Sequence, residues 1–249
     1  MSIEENLKKK HYLRGSMKVL VITSFNKKLY NDYAYRFFQT YNWPFDLHVY
    51  TEEYFAFNPY EAGVIVHELG EDCKNFIIRN KNKPFKNFIT DGVRFCYKVY
   101  SVVQASQFKN YDVLIWVDAD SVFYKPLTVE FIEKYLYEED KMMTYLGRSN
   151  YSECGFLLWN LKHKDAKDYF NEMKKMYNED LIYKEKEQHD SYIWDVVRKK
   201  FENERKTLNK NIGDNDVGHV QARSVLGTIY DHTKGPKRKA LGKSPEARI

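Results

Sequence analysis

The chain has 249 residues, 40 Lys and Arg against 35 Asp and Glu, a net charge of +5, and is rich in aromatics with 21 Tyr and 16 Phe. That apolar content at this length excludes a disordered chain and is enough to bury a real core. Three cysteines, Cys73, Cys96 and Cys154, share no CxxC spacing and are odd in number, which argues against a disulfide framework or a zinc site and for a reducing, cytoplasmic setting (host cytoplasm if the chain is viral).

At the N-terminus, MSIEENLKKKHYLRGS has no signal-peptide core, and GSM at 15–17 has the look of a cloning junction. Residues 1–16 are therefore expected to be a leader or tag, with one domain over 17–249. No apolar run approaches the ~20 residues of a membrane helix, so no membrane span is expected. From Met17 strand-like and helix-like segments alternate. MKVLVIT (17–23) is a β-branched run, followed by a helical pattern over 29–41. FDLHVYT (45–51) and AGVIVHEL (62–69) read as strands, and 71–80 and 91–108 as helices. YDVLIWV (111–117) is the next strand, then come a helix over 128–139 and strands over 142–147 and 154–160. Helices over 164–179 and 189–201 and a short strand near 226–231 complete the pattern. The alternation predicts an α/β domain with a mixed, mostly parallel central sheet flanked by helices on both faces. The C-terminal segment 232–249 is basic: Lys234, Lys237, Arg238, Lys239, Lys243 and Arg248 stand against one Glu, which suits an anionic partner or simply solubility.

In open α/β sheets ligands bind outside the carboxyl ends of the strands. TSFN (23–26), DAD (118–120) and YDH (230–232) all fall there. Asp118 and Asp120 follow five apolar residues, Val113 to Val117, with one alanine between them. Two carboxylates at the end of a buried strand repel each other unless a positive charge sits between them. A divalent Mn2+ or Mg2+ ion fits, since it takes oxygen ligands and is commonly bound together with substrate phosphates. An acidic turn or cap would give the same triplet. On the helix from 91, Asp91, Arg94 and Lys98 share one face while Phe95, Val99 and Val102 form the adjacent apolar stripe. Arg94 and Lys98 can meet phosphate or sugar oxygens. Alternatively Asp91 and Arg94 form a surface pair worth roughly 0.2–0.5 kcal/mol. There is no GxGxxG, P-loop or GxSxG motif, which removes support for dinucleotide oxidoreductases, P-loop kinases and α/β-hydrolases.

YDVLIWVDADSVFYKPL (111–127) resembles the core of nucleotide-sugar glycosyltransferases of the GT-A fold. It is most similar to the glycogenin-like and lipopolysaccharide-galactosyltransferase group and its small viral, phage-type relatives. The resemblance implies a single GT-A (Rossmann-like) domain, with matches in the group's order from about residue 17 to 240. It implies that Asp118, Asp120 and His232 hold the metal, His232 through the His-x-x-Gly spacing to Gly235; His219 is the competing histidine. Gly235 with Lys237 or Lys239 would contact the diphosphate, although Gly-Pro-Lys-Arg-Lys departs from the group's Gly-x-Lys-Pro ending and leaves the lysine open. Asp91, Arg94 and Lys98 would line the donor site. SECGFLLWN (152–160) resembles the acceptor-side strand and puts Glu153 where the acceptor or transferred sugar is touched. EQHDSYIWDVV (187–197) resembles the Asp-Gln-Asp helix start, with Gln188 and Asp190 as donor-sugar or acceptor contacts, unless Asp190 is only a helix cap. Thr23, Ser24 and Asn26 would face the base, by position alone. Asp190, Glu153 and Lys237 are thus the catalytic candidates.

The implied activity is metal-dependent transfer of a sugar from a nucleoside-diphosphate sugar, UDP-sugar first, to an acceptor hydroxyl with retention of configuration. The acceptor would be a glycan or a hydroxymethylated pyrimidine in phage DNA. A metal-dependent nucleotidyltransferase and a non-catalytic sugar-nucleotide-binding protein are the alternatives.

Overall fold

The computed structural model describes residues 17–55, 57 and 64–247. Residues 1–16, expected to be a leader or tag, lie outside the described residues, as do 62–63 of the expected third strand and 248–249 of the basic segment. In chain order the elements are β1 (Val19–Phe25), a helix α1 over 27–40 whose middle turn Tyr30–Ala34 is π-wound, β2 (Asp46–Thr51), β3 (Val64–Glu68), α2 (Glu71–Asn80) and α3 (Gly92–Ala105). Next are β4 (Val113–Val117), β5 (Ser121–Phe123), α4 over 129–136, β6 (Met143–Leu146), β7 (Glu153–Asn160), α5 (Ala166–Asn178) and α6 (Asp190–Arg205). β8 (Lys210–Asn211), α7 (Val220–Arg223), β9 (Tyr230–His232) and α8 (Pro236–Leu241) complete the chain.

The main sheet runs β3-β2-β1-β4-β7-β6-β8, and β5 and β9 form a separate ribbon. Pairs β1–β2, β1–β4, β2–β3 and β6–β8 are parallel, while β7 is antiparallel to β4 and β6. The mixed, mostly parallel sheet flanked by helices is therefore as expected. Its central strand β4, VLIWV, is apolar throughout because both faces are buried. Val113, Ile115 and Val117 of β4 pack with Phe37 of α1 and Ile132 of α4. Leu114 and Trp116 pack on the other side with Phe76 of α2, Val99 of α3, Met173 of α5 and Trp194 of α6.

Several local departures have physical causes. The helix expected over 128–139 ends at Leu136, where a π turn closes with Tyr137 N donating to Ile132 O. The strand expected near 226–231 starts only at Tyr230, because Val225–Thr228 is a 3-10 turn capped by the Ser224 hydroxyl. On α3, Val99 and Val102 enter the core as expected, but Phe95 does not and faces a cleft instead. Among the described residues no helix is long and apolar enough to cross a membrane, and all three cysteines are free thiols.

Candidate functional site

The carboxyl ends of β1, β2 and β4 open onto a cleft of about 840 Å3, within the range of small-molecule sites. At its centre Asp118 and Asp120 leave β4, and β9 brings His232 to them. The β5–β9 ribbon pairs His232 with Ser121, the residue after Asp120, and Thr233 donates to Asp120 O from both N (2.9 Å) and Oγ1 (2.6 Å). His232 Nε2 lies 3.1 Å from Asp120 Oδ1 and 3.5 Å from Asp118 Oδ2. One side-chain donor atom from each of the three falls within 4.8 Å of the others, which makes this the group among the described residues that could hold a metal ion. Two carboxylate oxygens and an imidazole nitrogen form a donor set that suits Mn2+ and accepts Mg2+.

Each of the three side chains is held by its neighbours. Asp118 Oδ1 accepts from Trp116 Nε1 at 2.6 Å and from Lys98 Nζ at 3.0 Å, which leaves Oδ2 toward the cluster. Burial would lower the His232 imidazolium, but the charges of Asp120, Glu153 and Asp118 push it up to about 9. Burial would likewise raise the Asp120 carboxyl, yet His232 and Lys239 hold it well below the usual range. A cation bound to Nε2 would take the place of the imidazolium proton. Gly155 makes room for this ring: a Cβ there would stand 2.3 Å from His232 Nδ1.

Lys98 is buried and bridges two carboxylates, 3.0 Å from Asp118 Oδ1 and 2.8 Å from Asp190 Oδ2, and it also donates to Cys154 O. Burial acts to lower its pKa, and the two aspartates overcome this and raise it. Asp190 is the first residue of α6 and lines the cleft. The cap of α6 is His189, whose Nδ1 accepts from Tyr192 N, so the cap role considered for Asp190 belongs to its neighbour.

Glu153 is only 2% exposed, and both its oxygens are engaged. Oε2 lies 2.6 Å from Lys234 Nζ and 3.3 Å from an Arg148 nitrogen; Oε1 accepts from Gly155 N at 3.1 Å and lies 3.6 Å from His232 Nδ1. Burial would raise its carboxyl, but Lys234, His232 and Arg148 hold it well below the usual range. It lines the cleft with both oxygens already held by neighbouring groups.

The basic segment crosses the cleft as a strap fixed at both ends. At one end is β9. At the other, Ser244 is buried, with its N donating to Asp231 Oδ2 at 2.6 Å and its Oγ 3.1 Å from His219 Nε2. His219, the competing metal-ligand candidate, is thus part of this anchor. Gly235, with φ +85°, turns the chain into α8 in a conformation that favours glycine. Of the two lysines left open, Lys239 lines the cleft, 2.9 Å from Asp120 Oδ2, whereas Lys237 is exposed and does not line it. Lys234, not singled out from sequence, lines it as well.

The remaining candidates divide. Arg94 is exposed on the cleft wall, but Asp91 only caps α3, its Oδ1 accepting from Arg94 N at 3.2 Å. Gln188 is buried away from the cleft, donating to Ile182 O and Glu185 O. Ser24 lines the cleft; Thr23 is fully buried beneath it. Asn26 caps α1, with Oδ1 accepting from Leu29 N, and donates from Nδ2 to Glu52 Oε2 at 2.9 Å. Glu52, Tyr33, Arg36, Arg148 and His189 line the cleft without having been foreseen. They are scattered, with Tyr33 and Arg36 on α1, Glu52 just after β2, Arg148 between β6 and β7 and His189 capping α6, so no one motif joins them.

No protein-family model matches the chain, and no curated protein matches it. Among solved structures it is similar to mouse xyloside xylosyltransferase 1 (apo form), with TM-score 0.48, 11% identity, and coverage of 78% of this chain and 85% of that one. It is also similar to the glycosyltransferase GlyE of Streptococcus pneumoniae TIGR4, with TM-score 0.47, 13% identity and 83% against 46% coverage. For the bifunctional glycosyltransferase WbbM (apo) the values are 0.45, 12%, and 74% against 38%. The chain thus spans less than half of the latter two structures.

Proposed function

We propose that the chain is a metal-dependent glycosyltransferase of the GT-A type, moving a sugar from a nucleoside-diphosphate sugar, UDP-sugar first, to an acceptor hydroxyl. The observation that carries this reading is the convergence of Asp118 Oδ2, Asp120 Oδ1 and His232 Nε2 at the carboxyl end of β4, inside a cleft also lined by Lys98, Lys234 and Lys239. A carboxylate pair backed by that many cations suits a polyanion delivered with a divalent ion. Mn2+ or Mg2+ bound there would supply Lewis-acid stabilisation of the leaving diphosphate.

The chain's own residues then have separate tasks. Lys239 and Lys234 carry positive charge toward the diphosphate from the strap, and Arg94 does so from α3. Asp190, with one oxygen on Lys98, presents its carboxylate to the hydroxyls of the transferred sugar or acceptor. Glu153 positions His232 and Lys234 from the cleft wall. Lys237 is replaced in its proposed catalytic role by Lys239. Retention of configuration, and a glycan or hydroxymethylated pyrimidine in phage DNA as acceptor, belong to the same reading and are supported by the sequence resemblance.

Calorimetric titration of UDP with and without Mn2+ tests the metal bridge; equal affinity in both conditions would overturn it. Incubation with a panel of sugar nucleotides tests the chemistry. Release of the nucleoside diphosphate is expected, and release of pyrophosphate would point instead to nucleotidyl transfer.

A further inference from the structure

The loop joining α2 to α3 reads KNKPFKNFIT over 81–90, and every residue from Lys81 to Phe88 is exposed. Phe85 and Phe88, 58% and 61% exposed, stand among Lys81, Lys83 and Lys86. Apolar side chains exposed singly are ordinary on a protein surface. Two phenylalanines three positions apart in a cationic loop instead make one surface that carries both charge and flat rings. The backbone beneath them is held. Thr90 Oγ1 accepts from Lys86 N at 2.9 Å and from Asn87 N at 3.2 Å, and Asn87 Oδ1 accepts from Ile89 N at 3.1 Å.

The loop before α6 runs beside it. Gln188 N and His189 N both donate to Ile89 O, at 2.9 and 3.1 Å, and Lys83 Nζ lies 3.8 Å from the centroid of the Tyr183 ring. That seam brings the exposed Lys184 and Lys186 to the same rim. Two of its acids are already engaged, Asp180 by Arg79 and Lys83 and Glu187 by His189. Lys81, Lys86, Lys184 and Lys186 have no ion-pair partner among the described residues, so the rim keeps a surplus of positive charge. It also leads inward, because Phe88, Arg94, Phe95 and His189 line the cleft.

We infer that this rim docks single-stranded nucleic acid, with its lysines on the phosphates and Phe85 and Phe88 stacked on unpaired bases, and leads the strand past Phe88 into the cleft as the acceptor. The docking stands on the rim alone; its role as an acceptor rests on the glycosyltransferase reading above and selects nucleic acid over a glycan. A single strand offers one negative charge and one flat ring per nucleotide, the two chemistries that alternate along this loop. An anionic polysaccharide supplies the charge without the rings. An anionic bilayer would satisfy the lysines and take up Phe85, but a broad surface cannot follow Phe88 into a cleft.

The experiment is fluorescence anisotropy of a labelled DNA single strand of roughly 12 nucleotides with the full chain, without UDP or Mn2+, over about 50 to 200 mM salt. The wild type is expected to bind it with a steep salt dependence. Each lost phosphate contact removes about 0.7 from the slope of log K against log salt, so the double variant Lys81→Gln, Lys86→Gln should lower that slope by about 1.4. Phe85→Ala should weaken binding about fivefold or more at an unchanged slope. Thermal melts report that both variants are folded. Strand binding that neither variant alters would overturn the assignment, and so would tighter binding to phosphatidylglycerol vesicles with the same loss in Phe85→Ala. A wild type that ignores the strand but keeps Mn2+-dependent UDP binding would overturn the rim's role and leave the donor reading standing. Strand binding without any Mn2+-dependent UDP binding would overturn the acceptor role together with the donor reading and leave the docking surface.

Discussion

Lys239 Nζ lies 2.9 Å from Asp120 Oδ2 and 4.0 Å from the centroid of the Tyr33 ring, so one ammonium group rests on a carboxylate of the candidate metal cluster and an aromatic face together. A divalent ion on Asp120 competes with that ammonium for the same negative charge. Lys239→Met keeps the stem over Tyr33 and removes the competitor. Its Mn2+ affinity without nucleotide should rise, by about threefold to tenfold, while Mn2+-dependent UDP binding should weaken by about tenfold. Calorimetry on both ligands reads the two effects. A variant that binds Mn2+ no better than the wild type would show that Lys239 and the ion do not compete.

Lys98 and Arg94 share a helical face in the sequence but separate in the fold. Lys98 is buried between Asp118 and Asp190, and Arg94 is exposed on the cleft wall. Removing one member of a buried ion network leaves charges without a partner, at a cost of about 3–5 kcal/mol. Lys98→Met should therefore lower the melting temperature substantially, whereas Arg94→Ala should shift stability by no more than about 0.5 kcal/mol. The arginine variant should instead raise the donor KM roughly tenfold, about 1.4 kcal/mol. Equal melting temperatures for the two variants would contradict the burial difference.

That pair also marks how far the sequence reaches. The strand ending in Asp118 and Asp120 was legible because five apolar residues and two close acids occupy one short stretch. His232 was legible through the His-x-x-Gly spacing, although the β5–β9 ribbon that delivers it is too short for any periodic signal. Lys98 was placed on the right helix, but its role between two carboxylates depends on Asp190, which arrives from ninety-two positions later in the chain. Glu52 carries no local motif, since its side-chain partner Asn26 lies at the end of a neighbouring strand, twenty-six positions earlier. The strap was legible as a charge run, and its anchor was not, because the Asp231–Ser244–His219 contact is long-range and buried.

Gly155 gives a test of the metal site that leaves every ligand in place. A methyl group there would meet His232 Nδ1 at 2.3 Å and Cε1 at 2.5 Å, distances that require the ring to move. Gly155→Ala should thus weaken Mn2+ binding by tenfold or more while β7 keeps its pairing with β4. Manganese paramagnetic resonance would give the free-ion fraction and circular dichroism the fold. Unchanged Mn2+ affinity would mean that His232 is not a ligand.

Glu52 links the site to stability through pH. Its carboxyl is raised from an ordinary 4.5 to about 7, chiefly by burial, with Asn26 opposing and Glu53 adding. Over that interval the folded chain holds a proton that the unfolded chain has released, so the stability this group allows is fully present below about 4.5 and lost as pH rises through about 7. Glu52→Gln cannot lose the proton. The two proteins should therefore melt together near the acidic end of the window and diverge above it. At pH 8 the variant should be more stable by on the order of 1–2 kcal/mol, a discounted figure because the group is partly open to solvent, which is a few degrees in melting temperature. Melting curves across the window decide the matter: a gap that does not change with pH would mean that Glu52 is as well solvated in the fold as out of it.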